Sequence, residues 1–204
     1  FLIKTATGGA ALAATSVSSG LESDSVQSSF EGKIKPGKPF ILTTWDFGPE
    51  ANEVGFPLLS SGGSALDAVE AAINYVELLP DEYWVGYGGV PNEIGETTLD
   101  AMILWGPTHD VGAVGCLKRV KKAISVARQV MEETQHSLIV GGDATRFAVR
   151  MGFKETSLTN AVSQARWDEW AAKGEQSDAF APEPFKEDTL NGHDTVGSIA
   201  LDKA

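Results

Sequence analysis

Short continuous apolar runs alternate along this chain with longer stretches in which apolar residues recur every three or four positions. The first pattern predicts strands and the second predicts helices. Strands are expected at residues 40–44, 99–106, 111–117, 136–141 and 195–201. Helices are expected at residues 64–79, 118–134, 143–151 and 160–172. Continuous apolar strands are typical of a sheet that is covered on both faces, so we expect layered α and β structure.

Two segments show neither the continuous apolar runs of strands nor the apolar spacing of helices. Residues 85–98 contain four glycines and a proline, which predicts a series of turns. Residues 173–192 are polar, contain two prolines and are expected to form an exposed loop. The chain has no internal repeat and no heptad pattern long enough for a coiled coil, which excludes repeat architectures.

Composition narrows the classes of function. The formal net charge of -12 disfavours nucleic acid and anionic membrane surfaces as partners, because both would repel the protein. No apolar run reaches the roughly 18 to 20 residues of a membrane span. The single cysteine, Cys116, lies in an apolar run, so it is expected to be buried and cannot form a disulfide within the chain.

The sequence offers no familiar cofactor or metal motif. Its glycine cluster is not followed by the Gly-Lys-Ser/Thr of a phosphate-binding loop, and its three histidines lack the spacing of a zinc site. We therefore expect no metal and no cofactor. The G-x-S-x-G turn of many serine hydrolases is absent as well.

Residues 1–30 have the composition of an export segment, with small and weakly apolar residues followed by many serines. The first four residues, FLIK, resemble the sequence that follows the paired arginines of a twin-arginine signal. This predicts a truncated signal and an exported protein, periplasmic or secreted. A disordered tail is the alternative explanation of this composition.

His193, Asp194 and Thr195 lie where a polar segment meets an expected strand. A threonine at the start of a strand has an ordinary β-propensity explanation, and His-Asp is a common turn sequence. The chemical alternative is self-cleavage: the Thr195 hydroxyl attacks the preceding carbonyl, and water hydrolyses the resulting ester. The α-amine freed by this cut has an unperturbed pKa of roughly 7.7 to 8 and can act as base for the neighbouring hydroxyl.

Several motifs, in one consistent order, resemble the glycosylasparaginase (aspartylglucosaminidase) family. HDTVGSIALD at 193–202 is similar to the family's processing site, and TTWDF at 43–47 to its N-T-W-x-F motif. SGGSALDAVE at 61–70 resembles its first helix, and GYGGVPNEIGETTLDAMILWG at 86–106 its glycine turn and central strand. The resemblance extends over about residues 38–202.

The resemblance implies an N-terminal nucleophile hydrolase with an α+β fold, a four-layer αββα sandwich, present in this sequence only as a partial, α-subunit fragment. Three regions follow: a truncated export segment at 1–30, the α subunit at 31–194, and the start of the β subunit at 195–204 with its remainder missing. Half of the sandwich would then be absent. For the chain by itself we expect an unpaired strand edge, a bare apolar sheet face and no hydrolytic activity.

The resemblance also assigns roles to residues. Thr195 is implied as the catalytic nucleophile, and His193 and Asp194 as the residues that position and strain the bond to be cut. Asp194 is expected to accept the hydroxyl proton before cleavage. Trp45 and Phe47 match the aromatic pair that lines the family's substrate pocket, and core packing is their alternative role.

The reaction implied is hydrolysis of the amide between N-acetylglucosamine and an asparagine side chain, as in glycoprotein degradation. The expected partners are the glycoasparagine substrate, the protein's own β subunit and a second αβ unit in an (αβ)2 dimer. Two alternatives stay open: an isoaspartyl peptidase or L-asparaginase that shares the self-cleaving threonine, and an inactive truncated remnant. Trp84 stands where the family has a small serine near the substrate, so the pocket mouth is expected to differ.

Overall fold

The computed structural model describes residues 37–82, 84–173 and 195–203. The strands in this part are β1 (Phe40–Thr43), β2 (Leu99–Trp105), β3 (Asp110–Leu117), β4 (Ile139–Val140) and β5 (Ser198–Leu201). The helices are α1 (Gly48–Ser60), α2 (Ala65–Glu77), α3 (Ala123–Glu133), α4 (Gly141–Arg150) and α5 (Ala161–Lys173). This mixture of helices and sheets confirms the expected α+β class.

The five strands form two sheets. In the first, β1 pairs antiparallel with β5, so that Phe40 lies opposite Leu201 and Thr43 opposite Ser198. In the second, β3 pairs antiparallel with β2 and parallel with β4. The β1–β5 pairing joins the beginning and the end of the described chain, and it therefore brings two distant motifs together.

Helix α2 begins at the residue that the sequence predicts. The Ser64 side chain accepts a hydrogen bond from the Asp67 amide at 3.1 Å, as an N-cap residue does. Leu66, Ile73 and Val76, which recur at helical spacing, are buried. The periodicity thus identified both the start of this helix and its buried face.

The hydrophobic spacing does not predict helix α1, because Gly55 and Pro57 lie in its interior and both disfavour helices. Gly55 is nevertheless needed for close packing. A Cβ at this position would lie 2.6 Å from both the Ala68 carbonyl oxygen and the Ile41 side chain. Contacts with α2 and β1 therefore stabilise α1 in place of intrinsic propensity.

Two clusters of buried apolar side chains form the core. The larger lies among α2, α3, α4 and one face of the β2–β3–β4 sheet, and includes Val114, Leu117 and Val130. The smaller cluster lies between α1 and α2 and contains Phe47, Ala51, Ala72, Val76 and Val85. Val196 packs against both clusters.

The expectation that the strands are buried on both faces is wrong for the described residues. Helices pack against one face of each sheet, and the other face carries exposed apolar side chains. We call these surfaces the apolar sheet faces: Phe40, Leu42, Ile199 and Leu201 on β1–β5, and Met102, Leu104 and Val140 on β2–β3–β4. The strand expected at 195–201 likewise begins only at Ser198 and alternates between exposed and half-buried residues.

The prediction that Cys116 is buried is also wrong: this residue is exposed and has a φ of 50°. The pairing passes from Leu99–Leu117 to Ala101–Val114, so β3 contains one residue more than β2 over this interval. Such a bulge bends the strand and redirects a side chain. The Cys116 amide donates a hydrogen bond to Asp100 Oδ1 at 2.7 Å, which holds the bulge in place.

Several other boundaries differ from the expectations. Helix α3 begins at Ala123 instead of 118, and Arg119 has a φ of 60°, which is incompatible with a right-handed helix. Strand β4 has two residues instead of the expected six at 136–141. Lys173 ends α5, and the remainder of the loop expected at 173–192 lies outside the described residues.

Candidate active site

Thr195 lies just before β5 and is exposed, whereas the next residue, Val196, is half-buried and packs against both core clusters. Exposed and half-buried residues alternate from Thr195 to Leu201. This period of two indicates that Thr195 lies on the same side as Ile199 and Leu201. The predicted nucleophile is therefore accessible from the apolar face of the β1–β5 sheet.

Thr44 connects the end of β1 to the segment that carries Thr195. Its backbone N–H donates a hydrogen bond to the Gly197 carbonyl oxygen at 2.9 Å. The Gly197 N–H in turn donates to the Thr44 side-chain oxygen, Oγ1, at 3.0 Å. These two bonds extend the β1–β5 pairing by one residue toward Thr195.

Two further contacts hold β5 in place. Thr43 Oγ1 lies 2.8 Å from Asn52 Oδ1 and 3.0 Å from Ser198 Oγ. Because the Thr43 hydroxyl has one proton, donating it to Asn52 leaves this oxygen as the acceptor for Ser198. After the strand, Asp202 Oδ2 accepts a hydrogen bond from the Ala65 N–H at 2.8 Å, which ties the end of β5 to the start of α2.

The two predicted pocket aromatics occupy different environments. Trp45 is 45% exposed, has a φ of 68°, and follows Thr44 at the same end of the β1–β5 sheet as Thr195. Phe47 is 8% exposed and belongs to the smaller core cluster. A substrate contact by Trp45 stays a prediction, and the burial of Phe47 agrees with the packing alternative for that residue.

Of the three predicted processing residues, the structure locates Thr195, whereas His193 and Asp194 lie outside the described residues. Trp84, expected to alter the pocket mouth, is half-buried and packs against the cluster that contains Phe47. Its backbone N–H donates to Glu82 Oε1 at 3.0 Å.

Sequence reasoning did not single out Thr44, Asn52, Ser198 or Asp202. Thr44 lies inside the quoted motif TTWDF, and Ser198 and Asp202 lie inside HDTVGSIALD. The hydrogen bond between Thr44 and Gly197 nevertheless joins positions 153 residues apart. No local pattern reports such a contact, so the motifs identified the segments but not the bonds between them.

An open groove of about 1310 Å³ in the described part of the chain does not involve Thr195. It runs along β4 and α4, with Lys118, Arg146 and Glu155 among its lining residues, and no residue of β1 or β5 contributes to it. Among the described residues, no group of three or more His, Cys, Asp or Glu side chains is arranged to hold a metal ion. No described helix is long and apolar enough to cross a bilayer.

Relatives with assigned names match most of the chain. A protein of Elizabethkingia miricola named N(4)-(beta-N-acetylglucosaminyl)-L-asparaginase is 43% identical over 165 residues, covering 81% of this chain and 46% of the relative. The protein of that name from Rattus norvegicus is 41% identical over 187 residues, covering 81% of this chain and 54% of the relative. The chain spans about half the length of the curated relatives it matches. These matches confirm the resemblance to glycosylasparaginases.

A family model described as Asparaginase matches residues 44–204. The matched region includes the turn at Trp45, both core clusters and the segment that carries Thr195. The chain therefore belongs to the asparaginase family.

Proposed function

We propose that this protein is an autoproteolytically activated amidohydrolase that cleaves the amide between N-acetylglucosamine and an asparagine side chain. Thr195 is the nucleophile. The observation that most supports this role is that Thr195 is exposed and lies just before β5. Two hydrogen bonds between Thr44 and the Gly197 backbone hold this segment against the end of β1. The names of the relatives supply the substrate class, N-acetylglucosaminyl-asparagine.

Self-cleavage precedes turnover in this proposal. Thr195 Oγ attacks the Asp194 carbonyl carbon, the amide nitrogen takes up a proton and leaves, and an ester replaces the peptide bond. Water then hydrolyses the ester. The products are a carboxylate on Asp194 and a free α-amine on Thr195. Asp194 accepts the hydroxyl proton in the uncut chain, and His193 helps to strain the bond.

Substrate hydrolysis uses the new terminus. The Thr195 α-amine accepts the proton of its own hydroxyl, which attacks the side-chain carbonyl of the glycoasparagine. The sugar-linked nitrogen takes up that proton and leaves as the glycosylamine, and a β-aspartyl ester remains on Thr195. Water releases aspartate and restores the hydroxyl. Trp45, exposed at the same end of the sheet, contacts the substrate in this proposal.

The proposed domain organisation follows from the cleavage site. Residues 31–194 form the α subunit and the β subunit begins at Thr195. We infer that the apolar sheet faces pack against a second sheet in a four-layer αββα sandwich. Met102 and Leu104 support this, since they are 65% and 53% exposed and large apolar side chains in a contiguous patch mark an interaction surface. Assembly as an (αβ)2 dimer is proposed from the family resemblance alone.

Export is a separate proposal, and it is supported by the composition of residues 1–30, which lie outside the described residues. We expect the protein to reach the periplasm or the medium. N-terminal sequencing of protein recovered from those fractions tests this, and recovery from the cytoplasm alone would contradict it.

The first test of the enzymatic proposal is the intact mass of the protein expressed from the complete gene. We expect two pieces, one of which begins at Thr195, because the scissile bond precedes that residue. A Thr195→Ala protein should stay uncut and lose all measurable turnover, because it lacks the attacking hydroxyl. N-terminal sequencing of the shorter piece identifies the cut.

Substrate comparison then separates the related activities. Release of aspartate from N-acetylglucosaminyl-asparagine, in preference to β-aspartyl peptides and free asparagine, is the expected result. Preference for β-aspartyl peptides would favour the isoaspartyl peptidase alternative. A single uncut chain in both wild type and Thr195→Ala would contradict the proposed function.

A further inference from the structure

The pairing between Thr44 and Gly197 is not a regular pair of strand residues. In a hydrogen-bonded antiparallel pair, the two residues exchange two backbone bonds. Here the Thr44 N–H donates to the Gly197 carbonyl, but the Gly197 N–H donates to the Thr44 hydroxyl oxygen at 3.0 Å. The Thr44 side chain thus takes the place of a backbone acceptor at the point where β1 ends and the chain turns at Trp45.

The bond between the Gly197 N–H and Thr44 Oγ1 lies two residues after Thr195 and therefore affects where Thr195 is placed. Gly197 has no side chain that could restrict its backbone, and glycine is the residue with the widest range of allowed φ and ψ. Apart from Gly197 itself and its two chain neighbours, the only described atoms within 4 Å of a Cβ added there are Thr44 Cγ2 and Oγ1, at 3.6 and 4.0 Å, so side chains from the rest of the described fold do not confine Gly197. Hydrogen bonds to Thr44 therefore fix the backbone direction two residues after Thr195.

Cleavage increases the importance of this contact. Once the bond before Thr195 is cut, the segment loses its covalent attachment on that side. The position of the new terminus then depends on the packing of Val196 and on the bonds between Gly197 and Thr44. Misplacement of a reacting group by about 1 Å can reduce a rate on the order of 10²-fold.

We propose that Thr44 is a positioning residue whose hydroxyl, by holding the Gly197 amide, sets the direction of the Thr195 hydroxyl during turnover. This inference rests on the proposed function. It concerns Oγ1 alone, because the backbone bond from Thr44 N to Gly197 O would be unaffected by a change of side chain.

The test compares Thr44→Val, which keeps the shape but removes the acceptor, with Thr44→Ser, which keeps the acceptor and removes a methyl group. Thr44→Ala, which removes both the hydroxyl acceptor and the γ-methyl group, is made as a second variant. Thr134→Val is the matched control, since Thr134 Oγ1 also accepts a backbone N–H, that of His136 at 2.9 Å, far along the chain from β1 and β5. Each protein is expressed from the complete gene.

We expect kcat to fall about tenfold or more in Thr44→Val and Thr44→Ala with KM little changed, and to recover in Thr44→Ser. Thermal unfolding temperatures should stay close to that of the wild type, because Thr44 is exposed. Thr134→Val should retain full activity.

Wild-type kcat in both Thr44→Val and Thr44→Ala would overturn the positioning role, as would equal losses in Thr44→Ser and Thr44→Val. Such results leave the proposed function standing, because the wild type would still be cut at Thr195 and active. An uncut and inactive wild type, in contrast, would overturn the proposed function and this inference together.

Discussion

Glu77 shows how a single residue can couple the fold to pH. It is 4% exposed, and its Oε1 accepts a hydrogen bond from the Ile124 N–H at 2.8 Å. Glu77 thereby caps α3, whose own N-cap residue, Lys122, makes no side-chain cap bond. Burial raises the pKa of the Glu77 carboxyl to about 8, since its charged form loses hydration; the Ile124 amide opposes this shift and Glu70 adds to it.

We expect the free energy of unfolding to decrease as pH rises from about 4.5 to about 8, because the folded state keeps a proton on Glu77 that the unfolded state loses. Glu77→Gln should flatten this slope, since its amide oxygen can accept the same bond without titrating. Urea unfolding at a series of pH values measures the effect. Glu93→Gln, at an exposed loop position, is the control, and an equal slope in wild type and Glu77→Gln would refute the expectation.

At the scale of secondary-structure elements, close contact between α3 and β3 determines how the larger core cluster packs. Gly112 of β3 has no side chain, and an added Cβ would overlap the Ala127 carbonyl oxygen and lie 2.6 Å from the Met131 nitrogen. Ala127 and Val130 are fully buried at this contact. Small residues on both sides therefore allow the helix to lie directly on the strand, and a dense interior leaves no room for an extra methyl group.

Gly112→Ala should destabilise the protein by about 1–3 kcal/mol, as overpacked cores do. The comparison is Gly106→Ala, where an added Cβ has no atom within 4 Å and the change should stay within about 0.5 kcal/mol. Denaturant unfolding midpoints of both variants and the wild type provide the measurement. Equal midpoints for the two variants would show that α3 moves away from β3 at little cost.

At the scale of the whole molecule, a strongly acidic chain carries the apolar sheet faces defined above. The net charge of -12 opposes self-association through long-range repulsion. Exposed Leu42, Ile199, Met102 and Leu104 favour it, since burying them against another surface removes apolar area from water. The balance between these two effects determines how the 204-residue chain behaves in solution.

Leu104→Lys should reduce self-association of the 204-residue chain, because it places a charge on an apolar sheet face. Ile94→Lys is the control: Ile94 is 72% exposed but lies in the glycine-rich turns, outside both sheets. Self-association of the wild type and of the two variants is measured by light scattering over a range of protein concentrations. If both variants lower scattering equally, the added charge and not the sheet face is responsible.

The sequence by itself determined the features that depend on neighbouring residues. Helical spacing and the Ser64 cap predicted α2, and continuous apolar runs predicted β1, β2 and β3. Motif order indicated the family, and it directed attention to Thr195. Each of these signals acts over a few positions, because backbone propensity, capping and amphipathic periodicity are local effects.

Only the tertiary structure decided the rest. Helix α1 forms in spite of Gly55 and Pro57, since contacts with α2 and β1 outweigh its weak propensity. Cys116 is exposed because the pairing of two strands requires a bulge, which the apolar run itself does not reveal. The bonds between Thr44 and Gly197 join residues 153 positions apart, and such contacts exist only once the chain has folded and brought β5 beside β1.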